Sequence, residues 1–147
     1  MRLFVGIPVA PATERALHHL AARLRAGQDG LRWTPSESWH VTLQFLGETT
    51  AEQGSCIIGA LREIKAMPVK IALERVASFE RAGTVTVTVA LTGSLRALQS
   101  AVTRASSQCG FVPEERPFSP HITLARVERG ARFRPHGVLQ EAMQRPL

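Results

Sequence analysis

One four-residue pattern occurs twice in this chain, and each copy lies in a segment whose composition predicts a β-strand. His-Val-Thr-Leu begins at His40, and His-Ile-Thr-Leu begins at His121. Since side chains alternate along a strand, the first and third residues of each copy share one face. Each strand therefore presents an imidazole with a hydroxyl, His40 with Thr42 and His121 with Thr123, and turns its second and fourth residues towards a core.

The segments around the two motifs follow the same order of strand, helix, loop and histidine-bearing strand. Apolar periodicity predicts strands at residues 2–9, 39–46, 69–79, 84–91 and 121–127, and helices at 13–27, 51–66 and 94–109, while a turn at residues 29–30 leads to Leu-Arg-Trp at 31–33. A turn is expected around Arg81-Ala82-Gly83, and residues 84–89 alternate threonine with valine, which predicts one polar and one apolar face. The sequence therefore predicts a single α+β domain over residues 1–147, built from two interleaved, pseudo-symmetric lobes.

A pseudo-twofold arrangement would bring the two histidine–threonine pairs together across a cleft, and that constellation suits phosphodiester hydrolysis. The reaction needs a base to activate water and an acid to protonate the departing oxygen, and histidine titrates near neutral pH. Each threonine hydroxyl can donate to a phosphate oxygen as charge builds. No carboxylate–histidine cluster has convincing metal-ligand spacing, so neither a metal nor another cofactor is expected.

Charge and cysteine content indicate the partner and the compartment. Eighteen Lys+Arg against twelve Asp+Glu give a net charge of +6, which fits a polyanionic partner such as RNA, although a GC-rich genome would also favour arginine. Cys56 and Cys109 belong to no Cys-x-x-Cys pair, which predicts unpaired, buried thiols in a reducing compartment. The N-terminus does not have the pattern of a signal peptide, and no apolar run is long enough to span a membrane. We expect a soluble, cytoplasmic, monomeric protein.

The chain resembles the 2H phosphoesterase superfamily, which is named for paired His-x-Thr motifs, and within it the LigT-like RNA 2′,3′-cyclic phosphodiesterases. The similarity extends over residues 1–128 in order. Matching stretches are residues 1–8, Leu-Arg-Trp at 31–33, residues 40–48 and, most closely, Arg-Pro-Phe-Ser-Pro-His-Ile-Thr-Leu-Ala-Arg-Val at 116–127. The motifs are specific as an ordered pair, whereas a single His-x-Thr is common by chance.

This resemblance implies a bilobal fold with two antiparallel sheets that form a V-shaped groove and with helices outside. It implies hydrolysis of an RNA or nucleotide 2′,3′-cyclic phosphate to a 2′-phosphate, with His40 as proton donor and His121 as proton acceptor, although pseudo-symmetry makes the two roles exchangeable in principle. Some relatives also join RNA ends through a 2′-5′ linkage. Relatives stack a nucleobase between the residues five positions after each histidine, which are Phe45 and Arg126 here. Strand parity turns position i+5 away from the histidine, so a bulge or a strand end must re-aim both side chains.

Several features leave alternatives open. Phe45 is equally compatible with a core aromatic, and Arg126 with a surface cation. Trp39, directly before the first motif, fits either core packing or a stacking surface. The tail is short, so either residues 138–147 replace the missing strands or one sheet is smaller. The same residues are also compatible with a non-catalytic RNA- or nucleotide-binding module, or with a related substrate such as a 2′-5′ oligonucleotide or a cyclic ADP-ribose phosphate.

Overall fold

A computed structural model describes residues 1–79 and 82–147 of the chain. The strands are β1 (Arg2–Pro8), β2 (Leu31–Trp33), β3 (His40–Glu48), β4 (Leu73–Phe79), β5 (Thr84–Val89) and β6 (His121–Val127). The helices are α1 (Pro11–Arg25), α2 (Ala51–Arg62), α3 (Gly93–Ser107) and α4 (Gly137–Met143), and Ser36–Ser38 forms one 3-10 turn. No helix in these ranges is both long enough and apolar enough to cross a bilayer.

The strands form two antiparallel sheets of unequal size. β1 pairs with β3 in a two-stranded sheet, while the other sheet has the order β2-β6-β5-β4. The predicted α+β class with two antiparallel sheets is therefore confirmed. Residues 137–143 of the tail form a helix and not a strand.

Contacts divide the chain into two compact units, each assembled from three separate segments. The first consists of Met1–Ile7, Thr42–Lys70 and Leu91–Pro120 and contains the two-stranded sheet with α2 and α3. The backbone N–H of Thr49 donates to the carbonyl of Met1 over 2.7 Å at the end of this sheet. Thr50 begins α2 with a reciprocal capping box to Gln53, which satisfies N–H groups that a helix start otherwise leaves without partners.

A disulfide between Cys56 and Cys109 joins α2 to the end of α3 within the first unit. The expectation of two unpaired, buried thiols is therefore wrong. Cys56 is exposed and Cys109 is half-buried. The sequence has no local signal for this pair, since the two cysteines are 53 positions apart and meet only because the two helices pack together.

The second unit consists of Pro8–Val41, Ile71–Ala90 and His121–Leu147, and it contains the four-stranded sheet with α1 and α4. Its core combines one stripe of α1 with the valine face of β5 and with α4. The buried members include Leu17, Leu20, Leu24, Val85, Val87 and Leu139. Val41 and Ile122, predicted to point into a core from the two motif strands, are fully buried.

The structure corrects the expected start of the first helix. The first helix begins at Pro11 with Ala10 as its cap, not at Thr13, because proline already has the backbone angle of a first helical residue and needs no N–H partner. The threonine face of β5 is also covered, since Thr84 and Thr86 are buried like the valines and Thr88 is half-buried. Of the turn predicted between β4 and β5, Arg81 lies outside the described residues, and Gly83 has the positive φ of 63° that favours glycine.

Candidate active site

The second motif strand, β6, contains a β-bulge within the motif itself. His121 pairs with Thr88 of β5, and Thr123 pairs with Thr86. On the far side of Leu124, the next residue pair is Ala125 with Val85. Leu124 therefore has no paired residue in β5. An unpaired residue of this kind shifts the alternation of side chains by one position.

This shift places Arg126 on the same face as the histidine. Arg126 pairs with Thr84 of β5, and Thr84 shares a face with the residues that oppose Thr123 and His121. Without the bulge, position i+5 would point towards the core. A bulge that turns Arg126 to the side of the histidine is therefore present. In the burial pattern it appears as two consecutive buried residues, Leu124 and Ala125.

In the first motif strand, β3, buried and exposed residues follow in the same order as in β6. From the histidine onward, both strands read half-buried, buried, half-buried, buried, buried, exposed, half-buried. The consecutive buried pair in β3 is Leu43 and Gln44, and Phe45 follows with 62% of its surface exposed. The core interpretation of Phe45 is therefore wrong. Its ring lies 6.3 Å from that of Phe4 of β1, tilted by 53°.

The imidazole of His40 is oriented by a backbone carbonyl two residues before it. Its Nδ1 lies 2.6 Å from the carbonyl oxygen of Ser38. Because a carbonyl oxygen only accepts, Nδ1 must carry the hydrogen, which leaves Nε2 as the nitrogen that gains and loses a proton. The preceding Trp39 is buried, and its ring meets His18 edge-on at 4.9 Å. Trp39 therefore packs in the core and offers no stacking surface.

His121 has an aromatic neighbour that the sequence did not reveal. The ring of Phe79, at the end of β4, lies 6.0 Å from the imidazole of His121, and 43% of Phe79 is exposed. Phe79 pairs with Thr84, whereas His121 pairs with Thr88, so the contact runs diagonally across β5. Only the register of three strands could have revealed it.

A buried hydroxyl lies beside the second motif. Thr86 pairs with Thr123 on the face that carries His121, and it is fully buried. Its Oγ1 has no hydrogen-bond partner among residues 1–79 and 82–147. Such a group costs free energy, because burial removes its water without replacing the bond.

Both histidines belong to the second compact unit, together with Thr123 and Arg126, whereas Thr42 and Phe45 belong to the first. The boundary crosses β3 between Val41 and Thr42. Within the described ranges, no three His, Cys, Asp or Glu side chains cluster in a way that could hold a metal ion. The residues that face outward from β6 are therefore an imidazole, a hydroxyl and a guanidinium, groups that suit an anion.

This chain is similar to known proteins in both sequence and structure. The family described as LigT like Phosphoesterase matches residues 7–89 and 85–144. An RNA 2′,3′-cyclic phosphodiesterase of Archaeoglobus fulgidus is 32% identical over 132 residues, covering 88% of this chain and 74% of that protein. One of Aeropyrum pernix is 34% identical over 109 residues, covering 71% of this chain and 61% of that protein. The crystal structure of Escherichia coli LigT complexed with 3′-AMP superposes with a TM-score of 0.73 at 25% identity, covering 92% of this chain and 79% of that one.

Proposed function

Because this chain belongs to the LigT-like phosphoesterase family, we propose that it hydrolyses RNA 2′,3′-cyclic phosphate ends to 2′-phosphates. The observation that carries the proposal is the repeated motif strand. β3 and β6 expose the same positions in the same order, and the two motif histidines lie in one compact unit. Relatives that match most of the chain are RNA 2′,3′-cyclic phosphodiesterases, which supports the same chemistry here.

The proposed reaction is acid–base hydrolysis. His121 takes a proton from water as the water oxygen bonds to phosphorus. The bond from phosphorus to the ribose 3′ oxygen breaks, and His40 gives its Nε2 proton to that oxygen. The products are a free 3′-hydroxyl and a 2′-phosphate, and one proton has passed from His40 while another has arrived on His121. Each histidine would contribute about 10²–10⁴-fold to the rate.

His40 suits the donor role because its Nδ1 is already committed to the Ser38 carbonyl. A ring held in this way keeps one orientation, so the Nε2 proton is delivered along a fixed direction. Thr42 and Thr123 would donate to the non-bridging oxygens as negative charge accumulates. Phe45 and Arg126 would stack against the nucleobase, since aromatic and guanidinium planes both accept bases without strict sequence preference.

The test is turnover of a short RNA that ends in a 2′,3′-cyclic phosphate, with EDTA present throughout. We expect a product with a 2′-phosphate and a free 3′-hydroxyl, identified by its phosphorus resonance and by comparison with authentic 2′- and 3′-phosphates. A 3′-phosphate product, or turnover abolished by EDTA, would contradict the proposed chemistry. Salt-sensitive RNA binding without any turnover would instead favour a binding module.

We propose that the protein acts as a monomer in the cytoplasm. The disulfide gives a reason to test this location. Disulfides are rare in reducing cytosol, except in hyperthermophiles. Thiol alkylation of the protein in freshly lysed cells, followed by mass spectrometry, would show whether Cys56 and Cys109 are paired where the protein works. A largely oxidised pair in a mesophilic host would count against the cytoplasm.

A further inference from the structure

Four side chains form a row across the end of the four-stranded sheet, here named the end row. In register, Arg32 of β2 pairs with Arg126 of β6, Arg126 pairs with Thr84 of β5, and Thr84 pairs with Phe79 of β4. Directly paired residues share a face, so the end row lies on the face that carries His121. It contains two exposed guanidiniums and an exposed aromatic ring, with the buried Thr84 between Arg126 and Phe79.

The two arginines of the end row carry like charges on directly paired residues. Like charges directly opposite each other on adjacent strands repel. Both side chains are exposed, and neither forms an ion pair with any residue of 1–79 or 82–147. A phosphodiester between two guanidiniums relieves the repulsion, because each planar fork can donate two parallel hydrogen bonds to phosphate oxygens.

A cavity of about 610 Å³ adjoins the end row within the second unit. Phe79 and Thr84 line it from the end row, and Phe133 and Arg134 line it from the segment after β6. This volume lies in the range of small-ligand sites, and two phenyl rings provide surfaces on which a base can stack. Phe79 also lies 6.0 Å from His121, so the cavity begins beside the proposed base.

We propose that the end row and this cavity bind the nucleotide on the 5′ side of the cyclic phosphate. Its base stacks on Phe79 and Phe133. The phosphodiester that links it to the terminal nucleotide lies on Arg32 and on the N–H edge of Arg126, whose planar face stacks on the terminal base. The inference rests on the proposed function and narrows it, since it makes an RNA oligomer, rather than a cyclic mononucleotide, the preferred substrate class.

The experiment compares two substrates, 2′,3′-cyclic AMP and the dinucleotide ApA ending in a 2′,3′-cyclic phosphate. We expect wild-type kcat/KM to be about tenfold higher for the dinucleotide, and Arg32→Gln or Phe133→Leu each to remove most of that preference. Arg104→Gln, an exposed arginine in the last turn of α3, is the matched control and should keep the wild-type ratio. Circular dichroism melting of each variant checks that the fold is retained.

Binding of the two products, 2′-AMP and ApA with a 2′-phosphate, gives a readout that does not depend on turnover. If the wild type binds the dinucleotide product more tightly and Arg32→Gln loses this difference, the inference is supported even when no hydrolysis is seen. If neither substrate is hydrolysed, only the proposed function is defeated. Equal kcat/KM and equal affinity for the mononucleotide and dinucleotide in the wild type would overturn the inference and leave the proposed chemistry standing. So would a preference that survives both Arg32→Gln and Phe133→Leu.

Discussion

The two motif strands expose the same positions but are supported in different ways. β6 lies inside a four-stranded sheet, with β2 on one side and β5 on the other, so its bulge is fixed by backbone pairing on both edges. β3 pairs with β1 alone in the described chain. Side chains from α3 supply further support, since Gln99 Nε2 approaches the Leu43 carbonyl at 3.5 Å and Ser106 Oγ donates to Gln44 over 2.7 Å.

The fourth residue after each histidine shows the difference most clearly. Ala125 fills this position in β6 and needs no polar partner, whereas β3 places Gln44 there, equally buried. Its amide depends on Ser106, and its Nε2 has no partner among the described residues. Backbone pairing on both edges thus supports β6, whereas β3 has pairing on one edge and two side-chain contacts from α3. We infer that β3 is the less stable of the two.

The largest effect should come from the histidines, and it tests whether the two strands act as one unit. His40→Ala and His121→Ala should each lower kcat by about 10²–10⁴-fold, since each removes one proton-transfer group. The double variant should be about as inactive as the poorer single one, because groups that act in one step are not additive. Steady-state kinetics on a 2′,3′-cyclic mononucleotide measures all three. Wild-type kcat in either single variant would show that only one strand carries the chemistry.

Removing the disulfide should destabilise β3 more than β6. The pair Cys56→Ser and Cys109→Ser opens a loop closed across 53 positions, which should lower the free energy of unfolding by about 4 kcal/mol in the chain-entropy model. The amides of β3 should then exchange with deuterium faster relative to those of β6, because the disulfide ties together the helices of the first unit. Hydrogen exchange of the variant, with the oxidised wild type as control, measures both. An equal loss of protection in both strands would contradict the difference in support.

The threonines test whether the two strands contribute equally to the charged transition state. Thr42→Val and Thr123→Val should each lower kcat about a hundredfold with little change in KM, since each removes a donor that matters most as charge builds. Thr103→Val on α3, whose hydroxyl donates to the Ser100 carbonyl, is the control of matched chemistry and should keep wild-type kcat. An effect of Thr123→Val without one of Thr42→Val would confine the phosphate contacts to β6.

The smallest effect concerns the helix support of β3. Ser106→Ala should lower the free energy of unfolding by about 1.5 kcal/mol, because it leaves the buried Gln44 amide without its hydrogen bond. Ser107→Ala is the matched control, since that exposed hydroxyl donates only to the Arg104 carbonyl of its own helix. Urea denaturation of both variants measures the difference. Equal midpoints for the two would show that Gln44 does not depend on α3.

Much of this could be predicted from the sequence because the informative patterns are local. Alternation along residues 121–127 predicted β6 with its observed bounds, and the repeated motif placed each imidazole beside a threonine. Strand parity also showed that Arg126 requires a bulge or a strand end, since position i+5 otherwise faces the core. These conclusions use only neighbours along the chain, where geometry fixes the direction of a side chain.

Features that depend on packing between distant segments could not be predicted. The disulfide requires α2 and α3 to meet, and no spacing of Cys56 and Cys109 encodes that contact. The contact of Phe79 with His121 requires the register of β4, β5 and β6 together. The burial of Thr86 on a face that looked polar follows from the tertiary environment, which no alternation pattern contains.

A crystal structure with 2′-AMP bound would show whether the imidazoles of the two motif strands act on a single phosphate. We expect phosphate oxygens to lie within about 3.2 Å of Nε2 of His40 and of a ring nitrogen of His121 in the same molecule, the reach that proton transfer requires. A phosphate that contacts only one of the two rings, or neither, would contradict it.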